Sequence, residues 1–495
     1  MVVCLYNTAP AASLAEPLAG RSTLARIAGY VQEVSPDAAQ IVVYSTTDPG
    51  DLPVGWRLQV GEPLSQRGLV ELLASMTTDA ATEILFAFLD QPFLNADLTR
   101  RMLVRHREYR AEYTFADGYP GGLAAEVLAG RAISHLQQMA SAQTPVDRAG
   151  LFPVVQTDIN RLDIETELAA VDQRLLRLSL SVETRADLEV CRRLAAGAPV
   201  SIDAWPEHAS ATRTEHRTLP RFVSVQVVEQ EVQRLAYSPY PTVRKDVLAP
   251  GRLMDLERFS TLIDELRGFA PEAVVHLSLW GELAQHPQAL DLARCVVSTE
   301  SLTLLVETSG VGWDEERAAE LLGIDSDRLL LIVGLDSDDE AVYREARGEG
   351  FAQAHRFAER AIAAMGRRAY VQAVRSQITE PALDAFYRNW REKTPNVIIE
   401  KYDHFSRRLP DLKIGDISPI ERFPCWHLQR DLYVLVDGEV PLCREDIGVG
   451  EPMGNVFDHG VESCWNAGTR RFADHVAGRY AGICEACDEY YTFTF

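Results

Sequence analysis

Short apolar runs alternate with amphipathic stretches along the first 205 residues. The runs at 2–6, 40–44 and 83–89 are rich in apolar, β-branched and aromatic residues, as buried strands are. Between them, 23–34, 67–76 and 97–108 place apolar residues at helical spacing. The alternation predicts an α/β domain over residues 1–205 with a mostly parallel sheet.

From 218 to 415 a strand–helix unit repeats, with strands expected at 222–228, 274–279, 302–307, 329–335, 369–374 and 397–401. In the stretch 255–269, Leu256, Phe259, Leu262, Ile263, Leu266 and Phe269 mark one face of a helix. A second helix is expected over 381–393, with Leu383, Phe386, Tyr387 and Trp390. Six strands with intervening helices predict a partial (βα)6 TIM-type barrel, whose reactive end lies at the C-terminal ends of the strands. Residues 421–495 form a third, small, cysteine-rich segment.

Composition narrows the function. A chain of 495 residues suggests two to four domains, and a net charge of −23 leaves no basic surplus for nucleic acid or an anionic membrane. No apolar run reaches the ~18–20 residues of a membrane helix, and no cationic segment precedes an apolar one at the N-terminus, so neither a span nor a signal peptide is expected. Eight cysteines in so long a chain are no disulfide framework. Four of them stand at ligand spacing, which favours a reducing, cytoplasmic setting.

Those four carry the most chemistry: Cys425-x12-Gly438-x4-Cys443, then Cys484-x2-Cys487. Four thiolates can enclose one tetrahedral metal or one iron–sulfur cluster, and spacing alone does not separate the two. Cys464 falls outside the pattern and is read as an ordinary buried thiol. The surrounding strings are Pro424-Cys425-Trp426, Val436-Asp437-Gly438-Glu439-Val440-Pro441-Leu442-Cys443, Met453-Gly454-Asn455-Val456 and Cys464-Trp465-Asn466. They resemble the SPASM/twitch domain, the auxiliary-cluster tail of peptide-modifying radical S-adenosylmethionine enzymes. That domain continues CxxC-x5-C-x3-C, whereas here Phe493 stands six after Cys487. The resemblance therefore implies one 4Fe-4S cluster on Cys425, Cys443, Cys484 and Cys487, with zinc as the alternative.

The central segment carries a second resemblance. Leu277-Ser278-Leu279-Trp280-Gly281-Glu282 with His286-Pro287, then Val306-Glu307-Thr308-Ser309-Gly310, then Val333-Gly334-Leu335-Asp336 with Tyr343-Arg344-Glu345-Ala346-Arg347-Gly348, resemble three consecutive strand ends of radical S-adenosylmethionine domains. The resemblance makes Gly281, Glu282, Thr308 and Asp336 candidate ligand-binding residues, with Glu282 at the position that meets the sulfonium's amino group. The defining Cx3Cx2C motif is missing: Gln233, Tyr237 and Tyr240 stand at that spacing, and no cysteine lies between Cys191 and Cys295. Phenol and amide oxygens do not replace thiolates on such clusters, so reductive cleavage has no electron entry point. Whether the barrel still binds S-adenosylmethionine stays open.

The N-terminal segment resembles sugar-nucleotide and cofactor nucleotidyltransferases in Pro17-Leu18-Ala19-Gly20-Arg21-Ser22-Thr23-Leu24, Leu89-Asp90-Gln91-Pro92-Phe93-Leu94 and Ser181-Val182-Glu183-Thr184-Arg185-Ala186-Asp187-Leu188-Glu189. Asp90 is then a candidate metal ligand, or else a strand-end cap. The Gly-rich basic loop that cradles the triphosphate is replaced by Asn7-Thr8-Ala9-Pro10-Ala11-Ala12-Ser13, which implies a degenerate domain.

Together these segments resemble the spiro-SPASM family. The resemblance implies an iron–sulfur protein whose barrel has lost its catalytic cluster and serves peptide or partner binding or electron transfer. The alternative is nucleotidyl transfer by the N-terminal domain; no catalytic residue is assigned. The histidines form no i, i+4 pair. Asp336, Asp338, Asp339 and Glu340 read as the acidic start of a helix, and residues 490–495 as a strand or docking tail.

Overall fold

The computed structural model describes residues 1–492 and divides into two compact units, Met1–His216 and Arg217–Phe495. The segments expected at 218–415 and 421–495 both fall within the second unit. The call of a strand or docking tail at 490–495 falls partly outside the described residues; within them, Tyr490 and Tyr491 lie in a turn.

In the first unit, seven strands run in the order Arg57–Val60, Gln40–Ser45, Val2–Asn7, Glu83–Phe88, Glu126–Ala129, Tyr113–Asp117 and Ile164–Leu168. The first four are mutually parallel, whereas Glu126–Ala129 is antiparallel to both of its neighbours. Val3 and Leu5 pack into one apolar layer, and Val2, Cys4 and Tyr6 into the other. Covering both faces with helices is what lets this strand be apolar throughout. The helices Thr23–Val34, Gln66–Met76 and Ala96–Glu108 begin at Ser22, Ser65 and Asn95, each of whose side chains accepts a backbone N–H of the first turn.

The second unit holds a parallel seven-stranded sheet in the order Val397–Lys401, Ala369–Arg375, Leu329–Gly334, Thr303–Thr308, Val274–Leu277, Phe222–Val225 and Asp431–Val434. Six are the strands expected from the repeat. The seventh comes from the cysteine-rich tail, in register Phe222↔Asp431 through Val225↔Val434. Leu432 and Val434 are buried in the same core as Val223, Val275 and Leu304, and this shared core joins tail to barrel. The helix Leu256–Phe269 buries Phe259, Leu262, Ile263 and Leu266, the expected face, and starts at the Asp255 cap. One cavity is lined from all seven strands, by Phe222, His276, Leu305, Ile332, Gln372, Ile398 and Tyr433 among others, so the sheet curls into an open barrel. Among the described residues, no helix is long and apolar enough to cross a membrane.

Candidate functional site

The tail is shaped by two tight turns. Gly438 has φ +87°, and a Cβ there would meet the Phe457 ring at 2.2 Å and Asn455 Oδ1 at 2.6 Å, so only glycine fits. Val440 N donates to the Gly454 carbonyl at 2.9 Å, Val456 N to the Gly438 carbonyl at 2.8 Å, and Asn455 Nδ2 to the Asp437 carbonyl at 3.0 Å. These bonds tie the Asp437-Gly438 turn to Gly454-Asn455 and set Cys443 at the end of the returning segment.

Cys425, Cys443, Cys484 and Cys487 line one small cavity, with Arg422, Arg444 and His475 also in its wall. Cys425 precedes the helix Trp426–Arg430, and Cys484 lies in the turn Gly482–Glu485. Burial, then the neighbouring Cys484, pushes the Cys425 thiol up to about 12. Burial pushes Cys484 up to about 11, offset in part by Arg471 and Arg422. Cys443 and Cys487 are raised further, by burial first and then by Glu445 and the other cysteines. Four neighbouring thiols, three of them buried and Cys487 partly so, are unfavourable as free thiolates, and a cationic metal centre removes that penalty. The donor set therefore fits a metal group.

Among the described residues, Asp403, His404 and Asp488 bring three donor atoms within 4.8 Å of one another. Asp403, His404 and Asp488 are already engaged: Arg444 Nη2 lies 2.8 Å from Asp403, and Lys413 and Lys401 lie 2.8 and 3.3 Å from Asp488. Cys464 lies in the barrel-facing core, apart from this cavity.

At the barrel mouth, Glu282 and Thr308 meet. Glu282 accepts Thr308 Oγ1 at 2.6 Å, Ser309 N at 2.9 Å and Ser309 Oγ at 2.8 Å. Burial raises its carboxyl, and these donors work against the rise. Gly281 has φ +120°, and a Cβ would stand 1.9 Å from the Val228 carbonyl oxygen, while its N–H donates to Glu231 at 2.8 Å. Asp336 is separate from that group. It sits at φ +65°, fully buried, accepting Arg347 Nε at 2.5 Å, Val374 N at 2.7 Å and the Tyr237 hydroxyl.

That network takes in Tyr237, one of the three residues at the spacing of the missing Cx3Cx2C motif. Tyr237 is bound to Asp336, Gln233 Nε2 donates to Tyr343 Oη at 3.0 Å, and Tyr240 stacks on Trp280 at 6.1 Å. Each of the three positions has its own protein partner. A cavity of about 330 Å³ is lined by Gly281, Glu282 and Thr308 and also by residues that the sequence reading did not make candidate site residues: Ser224, His276, Glu307, Gln372 and Glu400. Their signal is a polar residue inside an otherwise apolar strand.

In the first unit, Asp90 is fully buried and gripped by Arg148, whose Nη1 and Nη2 lie 2.7 and 2.5 Å from its two carboxylate oxygens. The same guanidinium lies 2.8 Å from Glu183 through Nε and 3.1 Å from Thr8 Oγ1. A metal on Asp90 would have to displace Arg148. Arg148 belongs to no motif and could not have been found from the sequence.

Residues 425–488 match the SPASM family, described as an iron–sulfur cluster-binding domain. An uncharacterized protein of Treponema pallidum (strain Nichols) is 33% identical over 363 residues, which cover 70% of this chain and 98% of that protein. A second uncharacterized Treponema pallidum protein is 52% identical over 68 residues, 14% of this chain and 22% of that one. Among solved structures, Streptococcus suis SuiB bound to the precursor peptide SuiA aligns at TM-score 0.44 and 12% identity, over 69% of this chain and 81% of that one. BtrN in complex with AdoMet and 2-DOIA aligns at TM-score 0.37 and 16% identity, over 55% and 93%. At these scores the likeness says nothing about what this chain binds.

Proposed function

As this chain belongs to the same family as the longer-matched Treponema pallidum protein and carries an iron–sulfur cluster-binding segment, we propose that Cys425, Cys443, Cys484 and Cys487 hold a single 4Fe-4S cluster beside a barrel that binds a peptide or protein partner without radical chemistry. The observation that carries the reading is one small cavity lined by all four thiols, within the segment that matches an iron–sulfur cluster-binding domain; zinc in the same site is the alternative. Such a cluster supplies a one-electron carrier or a structural clamp. The chain's own residues enclose it: Arg422 and Arg471 bring positive charge to Cys484, and the Gly438 turn sets the approach to Cys443. The spiro-SPASM subtype, the division into nucleotidyltransferase-like, barrel and tail segments, and a cytoplasmic setting belong to the same proposal.

The test is a series of single Cys→Ser variants at 425, 443, 484 and 487, with Cys464→Ser as the control. Each of the four is expected to lose the visible chromophore and most of its iron, and the control to keep both. Full iron in all four would sink the assignment. The alternative, nucleotidyl transfer through Asp90, needs its carboxylate free of Arg148. Stabilisation of the chain by a nucleoside triphosphate with magnesium would favour that alternative.

A further inference from the structure

We propose that the barrel cavity binds an organic cation, an alkylammonium or guanidinium group on a short apolar body, with its charge held between Glu307 and Glu400. The inference rests on the reading of the barrel as a non-radical binding body. Iron content and cation binding are separate readouts, so either can fail alone.

The cavity has two layers. Phe222, Leu305, Ile332 and Ile398 make an apolar floor. Above it Gln372 Nε2 donates to Glu307 Oε1 at 3.1 Å and to Glu400 Oε2 at 3.0 Å, so one amide holds two carboxylates side by side. Both carboxylates border the open cavity, with side-chain exposures of 37% and 38%. Glu307 faces His276 Nε2 at 3.4 Å rather than a lysine or arginine. Arg444 lies 3.9 Å from Glu400 but is engaged by Asp403 at 2.8 Å and Glu489 at 3.3 Å.

A second observation comes from the rest of the cavity wall. His276 Nε2 and Gln233 Oε1 are buried polar atoms in the cavity wall without a hydrogen-bond partner. Buried polar atoms are normally paired, and an orphan in a cavity wall points to something absent from it. His276 Nδ1 is tied to Ser224 Oγ at 2.8 Å, and Nε2 lies 3.4 Å from Glu307 Oε2 outside hydrogen-bond geometry. Titration agrees with an unmet charge: burial, reinforced by Glu307 against Arg444, pushes the Glu400 carboxyl up to about 8. Burial also acts on Glu307, but His276 outweighs it and holds that carboxyl below its usual range.

Among the described residues, the group whose donor atoms gather within 4.8 Å as for a metal ion is Asp403, His404 and Asp488, not Glu307, Glu400 and His276. A volume of about 330 Å³ is at the small end of ligand pockets and matches a diamine or one basic side chain.

The experiment is calorimetric titration of the anaerobically purified full chain with agmatine, with the peptide acetyl-Gly-Lys-Gly-amide, and with neutral 1,4-butanediol. At least one cation is expected to bind at a single saturable site, and the diol not at all. Glu307→Gln and Glu400→Gln should each weaken binding at least tenfold, with melting temperature and cluster absorption unchanged. Binding of the peptide alone identifies a partner's basic side chain, and of agmatine alone a free amine. Should either variant misfold, hydrogen exchange on the unmodified chain reads the same site, as slowing at Phe222–Val225 and Val274–Leu277 on adding the cation. No saturable binding of either cation, or binding undiminished by both substitutions, overturns the proposal.

Discussion

Replacing Asp336 by Asn tests how the barrel core balances a buried charge. Asn tolerates the positive φ of this position nearly as well as Asp, so the change removes charge with little backbone strain. It can still accept the Val374 N–H. What it cannot do is neutralise Arg347, whose side chain is 7% exposed and whose Nε lies 2.5 Å from Asp336. Breaking a buried ion pair from one side costs about 3–5 kcal/mol. With one hydrogen bond kept, the low end, about 3 kcal/mol, is expected. In a unit of this size that lowers the melting temperature by roughly 6–12 °C. Scanning calorimetry of the full chain should show the loss in the transition of the second unit. Arg347→Met added to Asp336→Asn should recover part of it, because no unpaired charge then remains buried. A shift below about 2 °C, or a double variant no better than Asp336→Asn alone, would refute the idea that this pair carries a buried charge balance.

Further outcomes follow from particular contacts. Gly281→Ala should lower the urea midpoint of the second unit far more than Gly20→Ala lowers that of the first, because a Cβ at 281 meets the Val228 carbonyl at 1.9 Å and one at 20 meets nothing within 4 Å. Arg148→Ala should destabilise the first unit by about 3 kcal/mol in urea titration, since it strands the buried Asp90 carboxylate. His216 is pushed down to about 3, chiefly by burial and then by Arg213 and Arg193. The folded state therefore disfavours the proton. Its contribution is complete above the unfolded value of about 6.5 and falls by about 1.4 kcal/mol per pH unit as the pH drops toward the folded value. Urea midpoints of the first unit at about pH 7.5 and about pH 5 should differ accordingly, and His216→Gln should flatten the difference.

Periodicity carried most of the architecture. Every strand expected between 218 and 415 is present, because each is a short apolar run bounded by helical pattern, the arrangement a parallel sheet imposes. Two features escaped it. The antiparallel Glu126–Ala129 has the same apolar text as its parallel neighbours, and strand direction is set by connection geometry rather than by composition. The strand Asp431–Val434 was hidden among ligand motifs, although Leu432-Tyr433-Val434-Leu435-Val436 before an Asp-Gly turn is a strand signal. The four thiols were legible from spacing alone. The Arg148 grip on Asp90 and the Gln372 bridge between Glu307 and Glu400 were not, because each joins residues far apart in the chain through side-chain reach.

The central claim is one iron–sulfur cluster in the tail and none in the barrel. It is tested most directly by iron, sulfide and zinc analysis of the anaerobically purified chain, together with its absorption spectrum. About four irons and four sulfides per chain with a broad band near ~400 nm are expected. One zinc with no sulfide, or about eight irons, would contradict it.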